Sequence, residues 1–230
     1  ADFIKNLPFE LTPEQSQSIV DITKDFELDK PMNRLLEGDV GTGKTMVAIV
    51  ASLITHLNGF KTLYMAPTEI LARQHYETYK KFLPNLNIKI MTGSKKDDEI
   101  DNADVLIGTH AILFSKEELN NVGLVVIDEQ HRFGVAQRGK LLSLGSNQNV
   151  VPHFLSMTAT PIPRTLGLTL YGDLDVSVID ALPPGRGTLK TFVRASDRLP
   201  KVWEFVRQEL AAGRQAYIVY PRVEETDAGA

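Results

Sequence analysis

Residues 38–45 read Gly38-Asp39-Val40-Gly41-Thr42-Gly43-Lys44-Thr45, and no other stretch restricts the fold as tightly. The pattern G-x-x-x-x-G-K-[ST] has chemical meaning only as a turn between a strand and a helix. The flanks meet that condition. Arg34-Leu35-Leu36-Glu37 reads as a short strand, and Met46-Val47-Ala48-Ile49-Val50-Ala51 opens a helical run. Gly38, Gly41 and Gly43 let backbone N–H groups converge on an anion, and the helix that follows adds its positive end. Lys44 sets a point charge on terminal phosphates and Thr45 offers a hydroxyl to Mg2+. The rival reading is a glycine-rich turn with an incidental lysine, which would not require those flanks.

The chain has 230 residues, 43% of them hydrophobic, enough for a real core in one large domain or one and a half ordinary ones. It has no cysteine, which excludes disulfides and thiolate metal sites and fits a cytoplasmic, reducing setting. Ala1-Asp2-Phe3-Ile4-Lys5 lacks the basic start of a signal peptide, and apolar runs such as Leu124-Val125-Val126-Ile127 are too short to cross a membrane. A net charge of −4 argues against a basic footprint over the whole surface, while a local cationic groove stays open.

Ahead of the loop, Leu11-Thr12-Pro13-Glu14-Gln15 opens a helix expected to run to about Leu28. Thr12 is its N-cap, Pro13 takes the first helical position and Gln15 completes a capping box. Gln15 has a second reading, because a glutamine ahead of a phosphate loop can present its amide to an adenine with Phe9 packed on the base. Spacing alone favours the cap. After the loop, Lys61 to Ala66 is a strand, Pro67 ends it and Thr68 caps a helix carrying Ile70, Leu71 and Tyr79. Ile88 to Met91, Asp104 to Ile107, Val122 to Ile127 and His153 to Met157 are further strands, and residues 92–99 form a charged, solvated loop. Strands this apolar suit a parallel sheet covered on both faces. Leu182-Pro183-Pro184-Gly185-Arg186-Gly187 reads as the end of a linker beginning near residue 181. Beyond it come an expected strand (Leu189 to Val193), a helix (Leu199 to Ala212) and a strand (Ala216 to Tyr220). One such unit cannot cover both faces of a sheet, so residues 188–230 are expected to begin a second domain after a first spanning 1–187.

A phosphate loop needs a carboxylate for its Mg2+ at the end of a neighbouring apolar strand, and Asp128 is best placed. Glu129 follows, where a carboxylate can polarise a water for attack on a γ-phosphate. The pair divides the work between metal and water. Its bland alternative is an acidic pair at a strand end.

Asp128-Glu129-Gln130-His131 matches the D-E-x-H pattern, and the chain here resembles superfamily 2 helicases. Other blocks follow in family order: Ala66-Pro67-Thr68-Glu69-Ile70-Leu71, Gly108-Thr109-His110-Ala111, and Ser156-Met157-Thr158-Ala159-Thr160-Pro161. Within that superfamily, Asp128 to Val135 with Gln137-Arg138, Thr160 to Leu166, and Leu182 to Arg186 resemble the RecG family of branched-DNA helicases. Transcription-repair coupling factors are similar but usually carry D-E-E-H and lack the Pro-Pro-Gly-Arg ending.

The resemblance runs from Leu7 to Glu225 and implies an α/β fold: a RecA-like P-loop domain with a mainly parallel sheet flanked by helices, plus the start of a second RecA-like domain. It implies ATP and Mg2+ as cofactors and branched DNA as partner. By similarity, Phe9, Gln15, Gly38, Gly41, Thr42, Gly43, Lys44 and Thr45 bind nucleotide, with Gln15 as adenine reader. Thr45 and Asp128 hold the metal, and Lys44, Asp128, Glu129 and His131 form the catalytic set. Pro67, Thr68 and Thr109 contact the DNA backbone, and Thr158 and Thr160 couple it to the nucleotide. Contacts of that kind hold register without reading sequence and suit an acidic chain. Residues 92–103 are fewer than the family usually has there, so no helix is carried over to that segment. The family's N-terminal wedge domain and the later motifs of its second RecA-like domain, including an arginine finger, have no match here. Losing such a finger costs a factor of about 10³ to 10⁵ in turnover. These 230 residues are therefore expected to bind Mg-ATP or Mg-ADP but to hydrolyse poorly and unwind little. A small-molecule phosphotransferase would need an acceptor pocket and lid that the sequence does not display. A non-catalytic nucleotide-binding module is the third reading.

Overall fold

A computed structural model describes residues 2–114, 119–129, 151–160, 174–181 and 190–219. The chain divides into two compact units, Ala1–Arg186 and Gly187–Ala230. In the first, α1 (Asp2–Lys5) and α2 (Pro13–Phe26) precede β1 (Asn33–Gly38), α3 (Lys44–Leu57), β2 (Lys61–Met65), α4 (Glu69–Phe82), β3 (Ile88–Met91), β4 (Val105–Gly108), β5 (Val122–Asp128), β6 (His153–Thr158) and β7 (Asp175–Ile179).

The strands form one seven-stranded sheet in the order β3-β4-β2-β5-β6-β1-β7. Every pairing is parallel, as runs apolar on both faces require. Alternate residues of each strand feed opposite faces: Tyr64, Leu124 and Val126 join one core, Leu63, Met65, Val125 and Ile127 the other. The described helices α2, α3 and α4 all pack on the first face. The second is covered, among the described residues, by 3-10 turns at Ile100–Asn102 and His110–Phe114 with Leu119.

Local signals account for the helix starts. Thr12 accepts from the Gln15 N–H at 3.3 Å while Gln15 Oε1 accepts from the Thr12 N–H at 3.0 Å, a complete capping box. Thr68 Oγ1 accepts from the Leu71 N–H at 3.3 Å and starts α4. The strands expected in this unit form within a residue or two of their expected bounds. β7 lies outside the expected strands: it buries Ser177 and Ile179 while Val178 is exposed, so its apolar residues do not mark one face and its sequence carries no clean period-two signal. Residues 92–99 are more organised than a solvated loop: Asp97 Oδ2 accepts from the Ile90 N–H at 3.0 Å, and Glu69 Oε1 accepts from the Ser94 N–H at 2.9 Å.

β1, β2, β5 and β6 are the strands that matter most for the site. β6 lies between β1 and β5, with Thr158 opposite Glu37 on one side and Met157 opposite Asp128 on the other. The ends of the phosphate-loop strand, the Ser-Met-Thr strand and the acidic strand thus line up on one edge, where loops leave the carboxyl ends of a parallel sheet.

A buried ion pair pins α2 to this sheet. Arg34 Nε donates to Asp25 Oδ2 at 2.6 Å and its Nη1 donates to Ser177 Oγ at 2.9 Å, tying α2, β1 and β7 together. Ser177 Oγ in turn donates to Asp21 Oδ2 at 3.2 Å.

The second unit contains α5 (Leu199–Ala211), as expected. The strands expected on either side are corrected: residues 190–193 and 216–219 join no ladder among the described residues. A strand is stable only with a ladder partner for its backbone groups, and no such partner lies among the described residues of this unit.

Candidate active site

The loop after β1 is shaped by its glycines. Gly41 and Gly43 both have φ of 84°, left-handed backbone that a Cβ disfavours. A Cβ on Gly43 would also lie 2.3 Å from Gln15 Nε2. That proximity reflects a contact which spacing did not reveal: Gln15 Nε2 donates to the Thr42 carbonyl at 2.7 Å. Gln15 is 3% exposed, so its amide spans the helix cap and the loop. In this arrangement it braces the phosphate loop from behind. Thr42 is fully buried and its Oγ1 donates to the Asp39 carbonyl at 2.9 Å. Phe9 is 45% exposed and meets the edge of Phe82 with ring centroids 6.0 Å apart.

Lys44 Nζ donates to the Gly38 carbonyl and, at 3.0 Å, to the Asp39 carbonyl. Burial pushes its ammonium below the ordinary lysine value, against the opposing pull of Asp128, Glu129 and Asp39. The lysine and the acidic pair therefore share one electrostatic environment, although β6 separates their strands. Glu129 adopts a φ of 52°, left-handed backbone at a residue other than glycine. Such strain costs about 1–3 kcal/mol and persists only where the surroundings impose it.

Asp128 ends β5 and is held by a residue the sequence reading passed over. His75 Nε2 lies 3.0 Å from Asp128 Oδ2 and 3.2 Å from the Tyr64 hydroxyl. The Tyr64 ring stacks at a tilt on His75, centroids 4.7 Å apart, and meets Tyr79 edge-on at 5.5 Å. Burial first, and then the charge of Asp128, raises the Tyr64 phenol well above its ordinary value, so it stays protonated. The available signal was positional: Ala72, His75 and Tyr79 form the buried stripe of α4, and a histidine in such a stripe requires a polar partner.

Hard oxygen donors suit Mg2+, and a threonine hydroxyl with an aspartate carboxylate is of that type: Thr45 stands in the first turn of α3 and Asp128 at the end of β5, while the left-handed Gly41 and Gly43 give the loop between β1 and α3 the kind of backbone that gathers N–H groups around an anion. The chain's residues thus fit both ATP and Mg2+.

Thr68 is exposed at the start of α4 and Pro67 half-buried before it; both follow β2. Thr109 follows β4, with its N–H donating to the Met91 carbonyl at 3.2 Å. Thr158 Oγ1 is 3.1 Å from Thr160 Oγ1 and accepts from the Thr160 N–H at 3.2 Å, closing the turn after β6. These positions share the sheet edge that carries Lys44 and Asp128. Gln130, His131, Pro161 and the Pro-Pro-Gly-Arg segment lie outside the described residues.

The family model described as DEAD/DEAH box helicase matches residues 12–168. The chain is 47% identical to the ATP-dependent DNA helicase RecG of Thermotoga maritima, covering 98% of this chain and 30% of that protein. It is 46% identical to RecG of Aquifex aeolicus, with 97% and 29% covered. A solved structure of RecG bound to a three-way DNA junction superposes with a TM-score of 0.79 at 42% identity, over 97% of this chain and 31% of that one. The chain thus spans under a third of the length of these relatives. No helix among the described residues is long and apolar enough to cross a membrane.

Proposed function

The chain belongs to the DEAD/DEAH box helicase family, and on that premise we propose that it is the ATP-binding motor domain of a RecG-like DNA helicase. Lys44 and the backbone N–H groups of Gly41 to Lys44 hold the phosphates, Thr45 and Asp128 hold Mg2+, and Glu129 orients and deprotonates the attacking water. Bound Mg2+ neutralises charge that develops on the β- and γ-phosphates. The observation that carries this reading is the alignment of the ends of β1, β6 and β5, which sets the phosphate loop and Asp128-Glu129 on either side of the strand end that holds Thr158 and Thr160. A strand lying between the two halves of the site suits the coupling role that the family gives those threonines. His131 completes the set.

The partner is DNA, and branched DNA in particular: one relative of known structure is a RecG bound to a three-way DNA junction. Pro67, Thr68 and Thr109 hold its backbone. In the intact protein ATP hydrolysis remodels forks and junctions in the cytoplasm, with residues 188–230 beginning the second RecA-like domain. These 230 residues alone bind Mg–nucleotide and turn it over slowly, because finger and later motifs are not among them.

A titration of fluorescent ADP with and without Mg2+ tests the assignment. Lys44→Ala is expected to weaken binding severely and Glu129→Gln to leave it nearly intact. Equal losses in both would refute the division of roles, and robust DNA-stimulated hydrolysis by this polypeptide would refute the claim of low turnover. A labelled three-way junction measured against linear duplex tests the DNA preference.

A further inference from the structure

We propose that His75 is a positioning residue for the metal site: its Nε2–H holds one oxygen of Asp128 so that the other is presented to Mg2+. The inference rests on the ATP-site reading above and extends it to a side chain on α4, a different helix from the one that carries Lys44 and Thr45.

An ionised carboxylate only accepts hydrogen bonds, so the 3.0 Å contact with Asp128 Oδ2 requires the proton to sit on Nε2. The ring has little freedom to leave. His75 is 8% exposed, its face is covered by Tyr64, and Tyr64 is itself fully buried against Tyr79. Tyr79 is anchored to α3 through Ser52 Oγ at 3.2 Å. A chain of packed rings thus runs from the helix of the phosphate loop to the carboxylate at the end of β5. Without His75, Asp128 would be free to rotate about its side-chain bonds, and binding a small octahedral cation would first require that freedom to be lost. Outer partners of this type typically change metal affinity by about 10- to 100-fold when removed.

The test is a Mg2+ titration at fixed fluorescent ADP, which reads metal binding without turnover. His75→Ala is expected to raise the Mg2+ midpoint about tenfold, while ADP affinity in EDTA stays at the wild-type value. His75→Gln, whose terminal amide reaches as far as Nε2, is expected to restore the midpoint. If His75→Ala loses its helical circular dichroism, His75→Asn, whose amide is too short to reach, takes its place. An unchanged midpoint, an equal loss in EDTA, or a glutamine variant no better than alanine would each overturn the proposal. A wild-type chain with no Mg2+-dependent ADP binding would instead remove the ATP-site reading, and this inference with it.

Discussion

Alanine at position 43 meets two separate obstacles, and the structure gives a size to each. The backbone there has φ of 84°, and left-handed geometry costs a residue with a Cβ about 1–2 kcal/mol. The new Cβ would also stand 2.3 Å from Gln15 Nε2. Nε2 ends a flexible side chain, so Gln15 swings aside rather than distorting the loop, and its 2.7 Å bond to the Thr42 carbonyl breaks. That bond contributes about 0.5–1.5 kcal/mol. Gly43→Ala should therefore destabilise the chain by about 1.5–3.5 kcal/mol, or about 3–14 °C in Tm for a domain of this size. Urea unfolding of Gly43→Ala, Gln15→Ala and the double variant separates the terms. With alanine at 15 the new Cβ has nothing to displace, so Gly43→Ala should then cost only the backbone part, leaving a coupling of about 1 kcal/mol. Additivity within about 0.3 kcal/mol would refute the bracing of the loop by Gln15.

Arg34→Met strands the buried Asp25 carboxylate and should cost about 3–5 kcal/mol by chemical denaturation. Adding Asp25→Leu should recover most of that, and a double variant as unstable as the single would contradict the account. Tyr79→Phe should cost about 1 kcal/mol or less, because Ser52 Oγ keeps its bond to the Ala48 carbonyl; a larger loss in the same assay would mean that the hydroxyl holds more than Ser52. His153 is pushed below its ordinary value chiefly by burial, and its Nδ1 accepts from the Met32 N–H at 2.9 Å, so the folded state prefers it neutral. Its contribution is present above the unfolded value of about 6.5 and is lost as pH falls through the lower folded one. His153→Asn, which retains an acceptor, should flatten stability between those values, and an unchanged slope would count against it.

What the sequence by itself determined is local. The glycines and Lys44 of the phosphate loop, the caps at Thr12 and Thr68, and the apolar runs that became β2, β4 and β5 are each legible in a window of a dozen residues. Their causes are hydrogen bonds and side-chain periods that act between near neighbours. The likeness of ordered blocks to a helicase family then assigned them to one site.

Tertiary structure decided the rest. Gln15 meets Thr42 across 27 residues, His75 meets Asp128 across 53 and Arg34 meets Ser177 across 143. None of these partners can be read from spacing, because each depends on which strands become neighbours in the sheet. The placement of β6 between β1 and β5 brings Thr158 between the two halves of the site. Residues 190–193 and 216–219 show the same limit in reverse: their composition suits strands, yet they join no ladder among the described residues. A strand exists only where a second backbone completes its hydrogen bonds, and that second backbone is a property of the fold rather than of the segment.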